Sequence, residues 1–235
     1  AIVIDIFHDK GNGTSMSARH LVENLVERGI GVKVLCDNAG QQNETMQGVE
    51  FVTFPIQQVP IYQKVIEQQH AWLASPNDAR IKEALKDVDL VHIYMPFALG
   101  THCARIAHEL KIPVLGCYHV SAENITFNAK MKYIPGATPA MYELLKVYHY
   151  KPEWINNIHC PSRCIASTLM GHLYNQNLHV ISNGYDPAFK RIDNVKIPDG
   201  CEDKVIVTSV GRLTEEKRQD LIIKAVAKSK YRDRI

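Results

Sequence analysis

Val205-Ile206-Val207-Thr208-Ser209-Val210-Gly211-Arg212-Leu213-Thr214-Glu215-Glu216-Lys217 reads as a strand that turns directly into a helix. Residues 205–210 are a short apolar, β-branched run, as in strands buried on both faces of a parallel sheet. Thr214 suits an N-cap, and Glu215 and Glu216 suit the positive end of a helix dipole. Leu221, Ile222, Ala225 and Val226 supply an apolar face. Between strand and helix lie Gly211, Arg212 and, just beyond, Lys217. A glycine and two cations at the carboxyl end of a parallel strand form a place for an anion.

The same alternation runs through the chain before it. Strands are predicted over residues 2–7, 31–36, 49–54, 90–94, 114–118 and 178–182, with a short strand into a turn over 158–162. Helices are predicted over 15–28, 62–74, 78–86, 99–110, 141–150 and 163–174, with Gly29 as the stop of the first. Strands alternating with helices predict an α/β fold with a doubly wound parallel sheet. Residues 1–185 read as one domain. Residues 186–204, with Pro187, Pro198 and Gly200 among mixed charges, read as a linker. Residues 205–235 read as the first strand–helix unit of a second domain, too short for a core of its own. The chain opens inside a strand without an initiator methionine and stops inside a helix, so both ends read as trimmed.

Composition excludes several classes. With 46% hydrophobic and 22% charged residues the chain is globular, and a net charge of +2 predicts no nucleic-acid partner. Six cysteines without C-x-x-C spacing predict reduced thiols and a cytoplasmic protein. No apolar run reaches the roughly 18–20 residues of a membrane span, and no signal peptide is evident.

The loop after the first predicted strand carries Gly11-Asn12-Gly13-Thr14-Ser15. It resembles the start of a dinucleotide fingerprint, but Met16 stands where the third glycine belongs. Asp37, at the end of the second strand, keeps an NAD(P)-dependent oxidoreductase open as an alternative. Asn12, Gly13, Thr14 and Ser15 alone can set backbone N–H groups against a phosphate at a helix N-terminus. Asp87-Val88-Asp89 has D-x-D spacing but precedes a strand, at the wrong end of the sheet for a ligand, so it reads as a solvated turn. Eleven histidines include no H-E-x-x-H pattern, and no metal site is predicted. His92 reads as a structural histidine within a strand. His119 lies just past a strand's carboxyl end and can hydrogen-bond a substrate hydroxyl, with Glu123 and Asn124 nearby as supporting residues. Residues 127–154 mix Lys130, Lys132, Lys146 and Lys151 with Phe127, Tyr133, Tyr142, Tyr148, Tyr150 and Trp154, a pattern that can rest on an anionic membrane.

Together these motifs resemble those of family-four retaining glycosyltransferases of the GT-B fold. The strongest carriers are Val180-Ile181-Ser182-Asn183-Gly184-Tyr185-Asp186, similar to the family's I-x-N-G-x-D turn, and Gly211-Arg212-Leu213 through Glu216-Lys217, similar to its G-R-L…E-K element. Cys160-Pro161-Ser162, His119 and the first glycine loop match more loosely. The resemblance implies two Rossmann-like domains, residues 1–185 forming the acceptor side. It implies a nucleotide-sugar donor, a UDP-sugar, with its diphosphate clamped by Arg212 and Lys217 and approached by Gly13. It implies that His119 contacts a donor-sugar hydroxyl, that no cofactor or metal is needed, and that the sugar passes with retention to a sugar or lipid acceptor. A membrane glycolipid acceptor would place the protein at the inner face of the membrane. The family's E-x7-E segment would follow Ile235, so the resemblance also implies that these 235 residues alone are inactive. A GT-B sugar-nucleotide epimerase and a non-catalytic binding module remain as further alternatives.

Overall fold

The computed structural model describes residues 1–39, 45–58, 63, 72–131, 133–186, 188–193, 195–211, 213 and 215–235. The chain divides into two compact units, Ala1–Asp186 and Pro187–Ile235.

The first unit holds a seven-stranded parallel sheet. Its strands are β1 (Ile2–Val3), β2 (Val32–Asp37), β3 (Val49–Phe54), β4 (Val91–Ile93), β5 (Val114–Cys117), β6 (Asn157–Cys160) and β7 (Asn177–Val180). They lie in the order β3-β2-β1-β4-β5-β6-β7, with every pairing parallel. The chain thus winds outward from β1 through β2 to β3, then returns to the other side of β1 for β4. Ile2 is in register with both Val34 and His92. The reversal between β1 and β4 opens a crevice at their carboxyl ends, where such sheets bind ligands. The predicted α/β, doubly wound sheet is observed. The first strand is shorter as a ladder than the predicted 2–7, although Ile4 N still donates to Leu35 O and Asp37 N to Asp5 O.

Helices α1 (Gly13–Glu27), α2 (Asp78–Ala84), α3 (Ala98–Glu109), α4 (Ala122–Asn128), α5 (Ala137–Leu144) and α6 (Arg163–Gly171) cover the sheet. Alternation along β1 splits the core. Ile2 and Ile4 join Val34, Cys36, Ala18 and Val22 on the α1 side. Val3 joins Leu35, Ile93, Leu99, Ile106 and Ile81 on the other. Helix α1 ends as its sequence predicts, with Gly29 at φ 74° and its amide on Val26 O. α4 was not among the predicted helices. Its signal is Ser121, whose Oγ accepts the Asn124 amide at 3.2 Å as an N-cap. The predicted helix over 141–150 begins earlier, as α5, and its last turn (Leu145–His149) is a π-turn. Most of the predicted helix over 62–74 lies outside the described residues. At its end, Ala74 pairs with Ile56 in an antiparallel bridge.

Two of the basic–aromatic segment's rings are core rather than surface. Tyr142 and Tyr150 are buried, donating to Glu123 and to Cys117 O respectively. Lys146 is tied to Glu143 and to His172 O. The apolar spacing of this segment serves the fold first. Lys132 lies outside the described residues.

In the second unit the expected strand over 205–210 is not formed. Val205, Ile206, Val207 and Val210 are exposed. A strand needs a ladder partner, and among the described residues this unit holds no strand to pair with it. A 3₁₀ turn (Glu215–Lys217) and helix α7 (Gln219–Lys228) follow, the latter starting from Arg218 at φ 49°. Arg212 and Thr214 lie outside the described residues.

Gly100, in the first turn of α3, sets the distance between that helix and β4. A Cβ there would stand 2.5 Å from Met95 O and 2.8 Å from Ile93 Cγ2. At Gly13 a Cβ would meet nothing within 4 Å. Gly100→Ala is therefore expected to destabilise the fold by about 1–3 kcal/mol. Gly13→Ala should change it by less than about 0.5 kcal/mol. Urea midpoints at unchanged m-value check both, and a wild-type midpoint for Gly100→Ala would refute the close-packing account.

Candidate functional site

The crevice begins with the loop between β1 and α1. Asp9 shapes it: Asp9 Oδ1 accepts the Gly11 amide at 2.8 Å and Asp9 O accepts the Asn12 amide at 3.3 Å. Asn12 then caps the helix, its Oδ1 accepting the Thr14 amide at 2.9 Å and its carbonyl the Met16 amide at 3.0 Å. The Asn12 side-chain oxygen is therefore committed to the helix end. Ser15 is fully buried, and its Oγ donates to Ile6 O at 2.5 Å. It fastens α1 to the residues after β1, so its hydroxyl is committed to the fold. Gly13 is the exposed head of the helix, with open space where a side chain would be. Neither φ nor packing explains a glycine there, whereas close approach of a ligand to the backbone would. Thr14 is half-buried beside it.

His119 enters the crevice from past the end of β5. The preceding residue is still held in the sheet, its amide donating to His159 O at 3.0 Å. The His119 ring stacks on Tyr94, beyond β4, with centroids 5.1 Å apart and planes 10° apart. It stands edge-on to His159 at 5.9 Å. Its Nε2 is buried and has no hydrogen-bond partner among the described residues. Burial, and secondarily His159, pull its pKa down to about 4. The imidazole is therefore neutral at physiological pH and can accept or donate one hydrogen bond. Glu123 sits in the first turn of α4, where both carboxylate oxygens accept from Tyr142 OH at 2.8–2.9 Å. Asn124 is exposed on the same short helix.

The I-x-N-G-x-D turn follows β7. Gly184 adopts φ 77°, a conformation that favours glycine, and its amide bonds Ser182 Oγ at 3.1 Å. In the second unit Lys217 is exposed at the end of the 3₁₀ turn. The candidate phosphate ligand Arg212 lies outside the described residues.

Two decoys resolve. Asp37 is buried with Asp5 at the ends of β1 and β2. Asp37 accepts the Ala39 amide at 2.5 Å and Asp5 accepts the Ala74 amide at 2.9 Å. Burial pushes the Asp5 carboxyl up to about 7, Asp37 adding to the rise, and raises Asp37 too. Asp37 is thus spent inside the fold and does not present a carboxylate to a ribose. Asp87 pairs with Lys33 at 2.8 Å on the opposite, amino-terminal edge of the sheet, as its place before β4 predicts.

A cluster that no sequence motif marks lies beside His119. His92 Nε2 lies 2.8 Å from Cys117 Sγ, which lies 3.1 Å from His159 Nδ1, all three residues buried. They come from β4, β5 and β6, brought together by register alone: Cys117 faces His159, and His92 is in register with Leu115. Burial, with His159 and His119 adding repulsion, lowers the His92 pKa to about 3. The only local hint is a polar side chain at alternate strand positions, His92 with Tyr94 and Cys117 with His119.

The profile of the family described as Glycosyltransferase Family 4 matches residues 11–189. A GDP-mannose-dependent alpha-mannosyltransferase of Corynebacterium glutamicum is 26% identical over 231 residues, covering 92% of this chain and 52% of that protein. The chain thus spans about half the length of that curated relative.

The His119 environment predicts an acid-side loss of stability. Its folded pKa, about 4, lies below the unfolded value of 6.5. As pH falls through 6.5 the unfolded chain takes the proton first, so stability decreases from there down to about pH 4 and then levels. An NMR titration of the His119 ring should give a midpoint near 4, and His119→Gln should flatten the stability profile over that window. A midpoint at the ordinary histidine value would show that the ring is solvated.

Proposed function

The chain belongs to glycosyltransferase family 4, and from that premise we propose that it supplies the acceptor-side half of a retaining, nucleotide-sugar-dependent hexosyltransferase. One observation carries the reading. Past the carboxyl end of β5, stacked on Tyr94 that follows β4, stands a neutral histidine whose buried Nε2 has no partner among the described residues, on the sheet whose strand order reverses at β1 and β4. His119 then holds a hydroxyl of the donor sugar, and its neutrality keeps it from drawing charge from the leaving group.

The departing nucleoside diphosphate gathers negative charge as the glycosidic bond breaks. Donors already aimed at that position stabilise it without reorganisation. On this side of the site they are the amide edge of α1 at Gly13 and the positive end of its dipole. In the second unit, the family resemblance assigns Arg212 and Lys217 to a nucleotide diphosphate. With fixed cations and amides in that role, the transfer needs no metal. The sugar leaves and the acceptor attacks on one face, which gives retention.

For the donor base we take the relative's printed chemistry as the guide, so GDP-mannose is the first donor to test and UDP-hexoses the second. For the acceptor we propose a lipid-linked sugar brought by the exposed residues on either side of α5, Lys130, Tyr133, Ile134, Val147 and Tyr148. Tyr133 is 83% exposed and Tyr148 61%. Exposed rings with lysine beside them suit an anionic interface.

In the active enzyme, His119→Ala should lower kcat/KM about 10- to 100-fold, the worth of a hydrogen bond to the substrate. Gly13→Val should raise KM for the nucleotide sugar while leaving the melting temperature unchanged. Initial rates against GDP-mannose and UDP-hexoses check both, and normal kinetics in both variants would remove the crevice as the donor site. On the membrane side, Tyr133→Ser with Tyr148→Ser should release the protein from vesicles containing anionic lipid in a co-sedimentation assay. Retention of binding in that double variant would remove these residues from membrane contact.

A further inference from the structure

From the juxtaposition of His92 Nε2, Cys117 Sγ and His159 Nδ1 we infer that the first unit contains a binding site for a thiophilic transition-metal ion of the zinc class. The three atoms all lie within 4.8 Å of one another. They come from three adjacent parallel strands, the stiffest part of the fold, and Cys117 and His159 are direct register partners. One thiol and two imidazoles form a donor set for zinc or copper, not for magnesium or calcium, which take oxygen.

Hydrogen bonding already sets the ligands' lone pairs. His159 Nε2 lies 2.6 Å from Ile181 O. A carbonyl only accepts, so Nε2 carries the ring proton and Nδ1 is left with its lone pair toward Cys117 Sγ. A ligating histidine whose other nitrogen donates to a backbone carbonyl is the usual outer arrangement of a metal site. The thiol has one proton for two neighbouring nitrogens. It donates to His159 Nδ1, and His92 Nε2–H donates to the sulfur. When the ion binds, the thiol proton passes to solvent, His92 shifts its ring proton to Nδ1, and three lone pairs meet at one point.

The dimensions are close. Zinc bonds of about 2.3 Å to sulfur and about 2.0–2.1 Å to nitrogen at a tetrahedral angle put S and N about 3.6 Å apart. The observed separations, 2.8 and 3.1 Å, need to open by about 0.5–0.8 Å. That is within the reach of side-chain torsions and asks nothing of the backbone. His119 is edge-on to His159 but lies outside the three-residue donor set, so the ion's fourth position is left for a solvent molecule. His92 borders a groove of about 1080 Å³ that runs between α1 and the amino ends of the strands, walled by Ile2, Leu21, Leu25 and Leu115.

Chelator-treated protein titrated with Co(II) tests this without any transferase assay. The expected result is one equivalent bound, with a near-ultraviolet thiolate-to-cobalt charge-transfer band and the strong visible bands of a four-coordinate ion, both erased by one equivalent of Zn(II). Cys117→Ser should abolish the charge-transfer band, and His159→Gln should weaken binding at least 10-fold. Cys164→Ser with Cys201→Ser, which removes the thiols that are not buried, should leave the spectrum intact. Absence of the band in wild-type protein, or its loss in the Cys164/Cys201 variant with survival in Cys117→Ser, would overturn the site. X-ray absorption at the zinc edge of the wild-type protein gives an answer that does not depend on a variant folding. One sulfur with two imidazole nitrogens supports the site, and a shell of oxygen alone refutes it.

Discussion

Hydrogen bonding of the first strand on both of its edges is the constraint from which the rest of the first unit follows. Ile2 pairs with Val34 on one side and with His92 on the other. Because the two neighbours are reached by winding in opposite directions, the loops leaving β1 and β4 diverge and a crevice opens between them. Two details keep that crevice in shape. Ser15 Oγ on Ile6 O anchors the head of α1 to the residues after β1. Gly100 lets α3 approach Met95 O more closely than any side chain would allow. Both are commitments of the fold, and both aim backbone at the same opening.

Burial then tunes what faces that opening. His92, His119 and His159 share one side of the sheet with Cys117 and Tyr94, in contact through ring faces and hydrogen bonds. Burial and the neighbouring imidazoles penalise the protonated forms of His92 and His119. The outcome is a neutral His119 with a spare nitrogen, suited to recognising a hydroxyl. A carboxylate in that position would need a charge partner, and a solvated histidine would change protonation within the physiological range.

The sheet and most helices were legible because their signals are local. β-branched runs and the stop at Gly29 lie within a few residues of what they specify. What was not legible depends on partners distant in sequence. Tyr142 and Tyr150 belong to a segment whose lysines and rings suggest a membrane surface, yet Glu123 and Cys117 O take their hydroxyls inside the fold. The Gly11–Ser15 loop was found by its glycines, but its residues divide by role only in three dimensions. Asn12 and Ser15 hold the helix, and Gly13 alone has no structural reason to be a glycine. The cluster of His92, Cys117 and His159 has no motif because β-sheet register, not spacing, makes it.

Residues 205–210 mark the limit of a local reading from the other direction. Their sequence is that of a buried parallel strand, and the turn after them carries the glycine and cations of an anion site. Yet the segment forms no ladder, and its valines are exposed. A helix closes its hydrogen bonds within itself, and Gln219–Lys228 is helical in the same unit. A strand closes them only with another strand, so its propensity is a conditional statement about a sheet. The same condition governs function. An anion site at a strand's carboxyl end exists when the sheet fixes where the turn points, which is why His119 and Gly13, on a completed sheet, carry the functional argument that Gly211 and Lys217 cannot carry by sequence alone.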